Sequence, residues 1–256
     1  MGFWVFGFRF LVVLFSVLFF WFWVFGFFQS PPMYSSTRSK NTQKREEKKK
    51  DPMPQQEIII ITPPSPQQAP PETVNALFEA GMQRLHLRFP DTDRQHTAQW
   101  IEQIAPPHRH RIVMHDHHDL VREMKLGGIH LNSRNPLPPV WYEPTKDITL
   151  SRSCHTIDEI KQYHTQYHYL FLSPIFDSIS KQGYTSPFTP QQLQQIRQLP
   201  SSKIYALGGI TAEHLPLIRE LGFKGAAILG DLWQQPTTQA ILQRFRNYCK
   251  SIDIAR

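Results

Sequence analysis

Cysteine is scarce: Cys154 and Cys249 are the two in 256 residues. Two thiols support neither a disulfide framework nor a cysteine-rich zinc site, and reduced thiols in a cytosolic domain are the plain expectation. A surplus of one charge is also missing from most of the chain. From Pro52 onward there are 20 of the 28 Lys+Arg and 18 of the 21 Asp+Glu, so the formal +7 comes mostly from residues before it. A nearly neutral domain lacks the basic stripe of a nucleic-acid binder. The N-terminus lacks what a secretory signal needs: no basic segment precedes its apolar run, and no small-residue cleavage site follows.

What the N-terminus does have is an aromatic excess. Residues 1–28 hold 11 of the 18 Phe, with Arg9 as the sole charge. Roughly 20 apolar residues suffice to cross a bilayer. Residues 29–56, including Lys44-Arg-Glu-Glu-Lys-Lys-Lys50, have the composition of a disordered basic linker. If the apolar run is a real span, that basic tract lies on the cytoplasmic side and the globular part is cytoplasmic. The alternative is that residues 1–28 do not belong to the working protein, since a start at Met33 or Met53 leaves a soluble domain with nothing missing. Residues 57–250 then form one domain, long enough for a single core.

Short runs rich in Ile, Val and Leu recur through that domain: Glu57–Thr62, Arg84–Arg88, Arg111–His115, Gly128–Leu131, Asp147–Ser151, His168–Leu172, Lys203–Leu207 and Ala226–Leu229. Helical spacing lies between most of them, as in Val74, Leu77 and Phe78 before Gly81, or Leu215, Ile218 and Leu221 before Gly222. The connection from Asn132 to Lys146 looks unhelical. Strict alternation of eight strands with helices predicts an α/β fold, a (β/α)8 TIM barrel, with a doubly wound open sheet as the alternative.

In a barrel the C-terminal strand ends converge on one rim. The polar residues at those ends are His86 and Arg88; His115, Asp116 and His117; His130 and Asn132; Ser153 and His155; Ser173; Gly208 and Gly209; and Gly230 and Asp231. Glycine amides at such ends, with Thr211 capping a helix after Ala206-Leu-Gly-Gly-Ile, are a ready phosphate site. Arg88 offers a planar fork of donors for phosphate, or else a surface salt bridge. Lys181, beside Ser178 and Ser180 in the sixth loop, is either a lid lysine or simply solvated. Asp116 suits magnesium held through a substrate pyrophosphate. A zinc site from His115, Asp116 and His117 is disfavoured, because neighbours on a strand point to opposite faces. His155 puts an imidazole, a side chain suited to shuttling protons, at a strand end, or it is structural. Cys154 should face the helix layer.

In order, Leu87-Arg88, Val113-Met-His-Asp116, Gly128-Ile-His-Leu131, Ser153-Cys-His-Thr156, Ser173-Pro-Ile-Phe176 with Ser178-Ile-Ser-Lys181, and Ala206-Leu-Gly-Gly-Ile-Thr211 make a series that resembles the thiamine phosphate synthase/TenI family from Glu57 to Trp233. The resemblance implies a barrel acting on a thiazole phosphate. In a synthase, which joins hydroxymethylpyrimidine pyrophosphate to thiazole phosphate, it implies that Arg88, Ser153 and Lys181 hold the pyrophosphate and Asp116 its magnesium. His130 would face the pyrimidine, while Ser178, Ser180, Gly208, Gly209 and Gly230 address the thiazole and its phosphate.

The chain departs from the synthase pattern on the pyrophosphate side. His86 replaces a glutamine, Pro90 a lysine, and His115-Asp116-His117 the usual Asn-Asp-Asp. Asn135 stands about where a second magnesium carboxylate is expected. TenI-type tautomerases move a proton on a carboxylated thiazole phosphate with the histidine of a Ser-x-His motif, here His155, and need no cofactor. The preferred expectation is therefore a tautomerase, with a synthase as the alternative. A non-catalytic thiazole-phosphate binder or a membrane-tethered scaffold is the reading from another class.

Overall fold

The computed structural model describes residues 56–144, 147–177, 187–199 and 203–254. The apolar segment 1–28 and almost all of the basic linker lie outside them, as do Ser178, Ser180 and Lys181. No helix among the described residues is long and apolar enough to cross a membrane.

Eight parallel strands form a closed barrel in sequence order: β1 Glu57–Ile61, β2 Leu85–Leu87, β3 Ile112–Met114, β4 Gly128–Leu131, β5 Thr149–Cys154, β6 Tyr169–Leu172, β7 Ile204–Leu207 and β8 Gly225–Ile228. Closure comes from β1 pairing with β8, Glu57 opposite Gly225 through Ile60 opposite Ile228. The expected (β/α)8 barrel is therefore the observed one, and the open sheet is excluded. One boundary moved. β5 begins at Thr149 and continues through Ser153 and Cys154, because it pairs with β4 from Gly128–Thr149 to Leu131–Arg152 and with β6 from Ser151–Tyr169 to Cys154–Leu172.

Side-chain alternation splits each strand between two cores. Outward residues such as Leu85, Leu87, Ile129, Cys154 and Leu170 pack under the helices. There lie α1 Pro71–Glu79, α2 Arg94–Glu102, α3 Leu120–Glu123, α4 Ile157–Tyr163, α5 Pro190–Gln194, α6 Leu215–Glu220, α7 Gly230–Trp233 and α8 Thr238–Ile254. Pro71 begins α1, where a missing N–H costs nothing, and Val74, Leu77 and Phe78 form its buried stripe. Ile59, Ile61, Tyr169, Phe171, Tyr205 and Ala227 form a separate inner cluster. Between β4 and β5 there is no helix among the described residues. Trp141 and Tyr142 of that connection pack on the outer core instead, with the Arg122 guanidinium 5.5 Å from the Trp141 ring centre.

Candidate functional site

The interior below the mouth is built on histidine. His86, His115 and His130 project inward from or just beyond β2, β3 and β4 and are almost fully buried. Barrel interiors are usually filled by branched aliphatic side chains, so three imidazoles need partners to offset the cost of burying polar nitrogens, about 1–3 kcal/mol for each one left unsatisfied. Partners are present. His86 Nδ1 lies 2.9 Å from His115 Nε2, and His86 Nε2 lies 2.7 Å from the Tyr169 hydroxyl. His130 sits between two serines, Nδ1 at 2.9 Å from Ser151 Oγ and Nε2 at 2.8 Å from Ser153 Oγ. Ser151 donates its own proton to the Ile129 carbonyl, 3.2 Å away. Its oxygen therefore accepts from His130 Nδ1–H, and Ser153 donates to Nε2.

The three rings are neutral. Burial, with the charges of His118 and Arg152 adding to it, pushes His130 down to about 3. Burial above all also holds His86 and His115 well below the usual histidine range. Their nitrogens come close enough together to ligate a metal ion, but the hydrogen bonds above already occupy both nitrogens of His86 and of His130 and Nε2 of His115. The sequence set His86, His115 and His130 among the rim groups. The structure corrects this to the barrel interior, where each ring is hydrogen-bonded.

At the rim proper, Arg88 follows β2 and is half-buried. Burial, and then the nearby Arg134 charge, lowers its affinity for its proton. No hydrogen bond to its guanidinium is found among the described residues. Asp116 follows β3 but is not open. Arg134 grips it with two nitrogens at 3.0–3.3 Å, and Asn135 Nδ2 donates to the same carboxylate at 2.9 Å. Asn132 Oδ1 accepts from the Arg134 and Asn135 backbone N–H groups at 2.9 and 3.1 Å, fixing the turn that aims the arginine. Arg134 was not singled out in the sequence. Its only signal was a cation in the loop beside the missing carboxylate. His117, with φ at 49°, turns away and contacts the Thr92 carbonyl at 2.8 Å, so the zinc grouping disfavoured above does not form.

Magnesium prefers several oxygen ligands. Both oxygens of Asp116 are committed to Arg134, while Asp119 and Glu123 pair with Arg94. That donor set does not fit the ion.

His155, exposed just beyond β5, places Nδ1 3.1 Å from the Ser173 carbonyl. The Ser173 hydroxyl also lies 3.4 Å from Nδ1, but the closer carbonyl only accepts, so Nδ1 carries the proton and Nε2 bears the lone pair when the ring is neutral. The α4 capping box of Thr156 and Glu159 holds this corner, and Glu159 also accepts from the His155 backbone N–H at 2.5 Å. Cys154 faces the outer core as expected, its thiol pushed up to about 12 by burial and then by Glu159.

The loops after β6 and β7 form one unit. Gly208 and Gly209 have φ of 100° and 63°, which L side chains rarely adopt. A Cβ on Gly209 would lie 2.2 Å from the Asp177 carbonyl oxygen, and one on Gly208 2.9 Å from Pro174. Thr211 begins a short 3-10 turn with His214 in a capping box, as anticipated. Gly230 opens α7 after β8. Asp231 points away from the mouth, to Arg244 (2.6 and 2.8 Å) and the Tyr248 hydroxyl (2.5 Å) of α8, so this rim candidate is a structural clamp.

Comparison with known proteins gives consistent similarities. The family model described as thiamine monophosphate synthase (TMP-TENI) matches residues 58–232. A thiamine phosphate pyrophosphorylase from Bacteroides thetaiotaomicron superposes with a TM-score of 0.69 at 34% identity, covering 78% of this chain and 99% of that one. A thiamine-phosphate synthase of Bacteroides fragilis is 24% identical over 190 residues, 69% of this chain and 91% of that protein. Another from Latilactobacillus sakei is 28% identical over 134 residues, 51% of this chain and 60% of that protein, so here the match spans less than two thirds of the relative.

Proposed function

Because the chain belongs to the thiamine phosphate synthase/TenI family, we propose that it is a thiamine-pathway enzyme acting on a thiazole phosphate, and that it works as a TenI-like tautomerase. The observation that carries this reading is His155. Its Nδ1–H is tied to the Ser173 carbonyl, which leaves Nε2 as a base on an exposed ring at the mouth. A positioned imidazole of this kind contributes about 10²–10⁴-fold to proton transfer.

In the step proposed, Nε2 takes a proton from a ring carbon of the carboxylated dihydrothiazole phosphate. The imidazolium returns a proton at the tautomeric position, so composition and redox state are unchanged. The loops after β7 and β8, through Gly208, Gly209 and Gly230, would receive the phosphate. The neutral shelf of His130 and Ser153 would lie under the ring. Ser178, Ser180 and Lys181, outside the described residues, would add hydroxyl and cationic contacts to the substrate, as the family resemblance implies. No cofactor is needed, and the two cysteines, neither in a disulfide, fit a cytoplasmic enzyme.

A synthase is the second reading, favoured by the relatives, which are thiamine-phosphate synthases by name. It would use Arg88, Ser153 and Lys181 on a pyrophosphate. Magnesium would there neutralise the leaving group, but the donors around Asp116 do not fit it, and no step is derived through it.

The test supplies the purified full chain with each thiazole tautomer, with and without pyrimidine pyrophosphate and magnesium, and identifies products by mass spectrometry and NMR. Isomerisation without pyrimidine supports the tautomerase. Thiamine phosphate formation without any isomerisation replaces it with the synthase, and turnover of neither leaves a binding protein.

A further inference from the structure

The mismatch at Asp116 is itself informative. The family resemblance implies a divalent cation beside this carboxylate, yet a guanidinium holds both of its oxygens, with Arg134 nitrogens at 3.0–3.3 Å and Asn135 at 2.9 Å. The Asn132 turn aims that guanidinium at the mouth side of β3. Arg88 is close enough that the Arg134 charge bears on it, and among the described residues its own guanidinium has no hydrogen-bond partner. Asp116 and Asp91 both act on Arg88 through their charges, but among the described residues neither hydrogen-bonds its guanidinium. Donors of a half-buried arginine left without an acceptor are costly unless an oxyanion completes them.

We propose that Arg134 stands in the place of the divalent cation, and that with Arg88 it forms a metal-independent oxyanion subsite on the β2–β4 side of the mouth. Guanidinium forks match carboxylate and phosphate oxygens in two places each. The shared chemistry is an oxyanion with two adjacent oxygens. It could be the carboxylate of the proposed thiazole substrate or a phosphate group. The subsite rests on the mouth being the substrate site, but it does not depend on His155.

The experiment is calorimetric titration of the full chain, in EDTA and in excess magnesium chloride. The probes are inorganic pyrophosphate, thiazole phosphate, and its carboxylated form. Binding of pyrophosphate, or tighter binding of the carboxylated than the plain thiazole phosphate, is expected in EDTA. Magnesium should leave pyrophosphate binding unchanged or weaken it, since the ion competes for pyrophosphate in solution. Arg134→Gln, at a side chain 41% exposed and so outside the core, should weaken that binding by about tenfold or more, as should Arg88→Gln. A pyrophosphate response marks a phosphate guest, and a carboxylate-dependent gap that Arg134→Gln closes marks a carboxylate.

The proposal is overturned by binding that requires magnesium, by no oxyanion binding in EDTA, or by an Arg134→Gln protein of unchanged melting temperature and unchanged affinity. In each of those cases the proton-transfer reading survives, because it is judged by the kinetics of His155→Asn.

Discussion

At the N-terminal end of the barrel, Glu57 accepts from the Tyr205 hydroxyl at 2.6 Å and pairs with Lys224 at 3.1 Å, while the Arg84 guanidinium lies 4.6 Å from the centre of the Tyr169 ring. Charges there have partners inside the fold. At the opposite end, the Arg88 guanidinium makes no hydrogen bond among the described residues although Asp116 and Asp91 act on it, Arg134 shares one carboxylate with Asn135, and His155 is exposed with Nδ1 alone held by Ser173. The first arrangement is complete without a ligand and the second is not. That difference separates stability from function in barrels of this kind, and it predicts which substitutions change binding or rate and which change only the melting temperature.

The largest effect should come from the mouth. His155→Asn should lower isomerisation by about 100-fold or more while leaving the melting temperature and thiazole phosphate binding as they were. Steady-state kinetics with either tautomer checks this, and an unchanged rate removes His155 from the chemistry. Gly209→Ala strikes both fold and site. A methyl in the space of the Asp177 carbonyl, at a φ of 63°, should cost about 1–3 kcal/mol and loosen phosphate binding together with it. Chemical denaturation and calorimetry should move in step. If stability drops while affinity holds, the loops after β6 and β7 are not the phosphate cradle.

Between the two ends, the buried histidines should make stability depend on pH. Their folded-state proton affinity lies below the ordinary histidine value of 6.5. Stability is therefore complete above 6.5 and is lost as pH falls towards about 3, because the unfolded chain takes up protons that the native rings refuse. His130→Leu should flatten that slope by about one proton in urea denaturation series. A slope equal to the parent's would mean that His130 titrates alike in both states. The smallest effect belongs to the sealed end. Tyr205→Phe should cost about 1 kcal/mol by removing the hydrogen bond to half-exposed Glu57, with kcat unchanged. A large loss of activity there would erase the contrast between the two ends.

The barrel was legible because its runs of Ile, Val and Leu recur eight times, and a closed parallel sheet needs apolar residues on both faces of each strand. The site was legible in part. Period-two alternation correctly sent Cys154 outward and Ser153 to the opposite face, where the structure sets it against His130. It carries no information on depth along the barrel axis, so His86, His115 and His130 were grouped with the rim although they lie beneath it. Asp231 misled for a related reason: a residue after a strand can point up to the mouth or back to a helix, and Arg244 and Tyr248, 13 and 17 residues on, decided for the helix. Arg134 was out of reach. Its partner lies 18 residues earlier, and only the turn held by Asn132 brings the two together.

The imidazoles under the mouth have one more consequence. Solvent reaches their ring protons only when the barrel breathes, so those N–H signals should persist in water-based NMR spectra, far downfield of the amides. A guest settling against Ser153 perturbs the far side of the same ring system. The molecule thus contains its own resonance reporter of occupancy, readable without any label on the ligand.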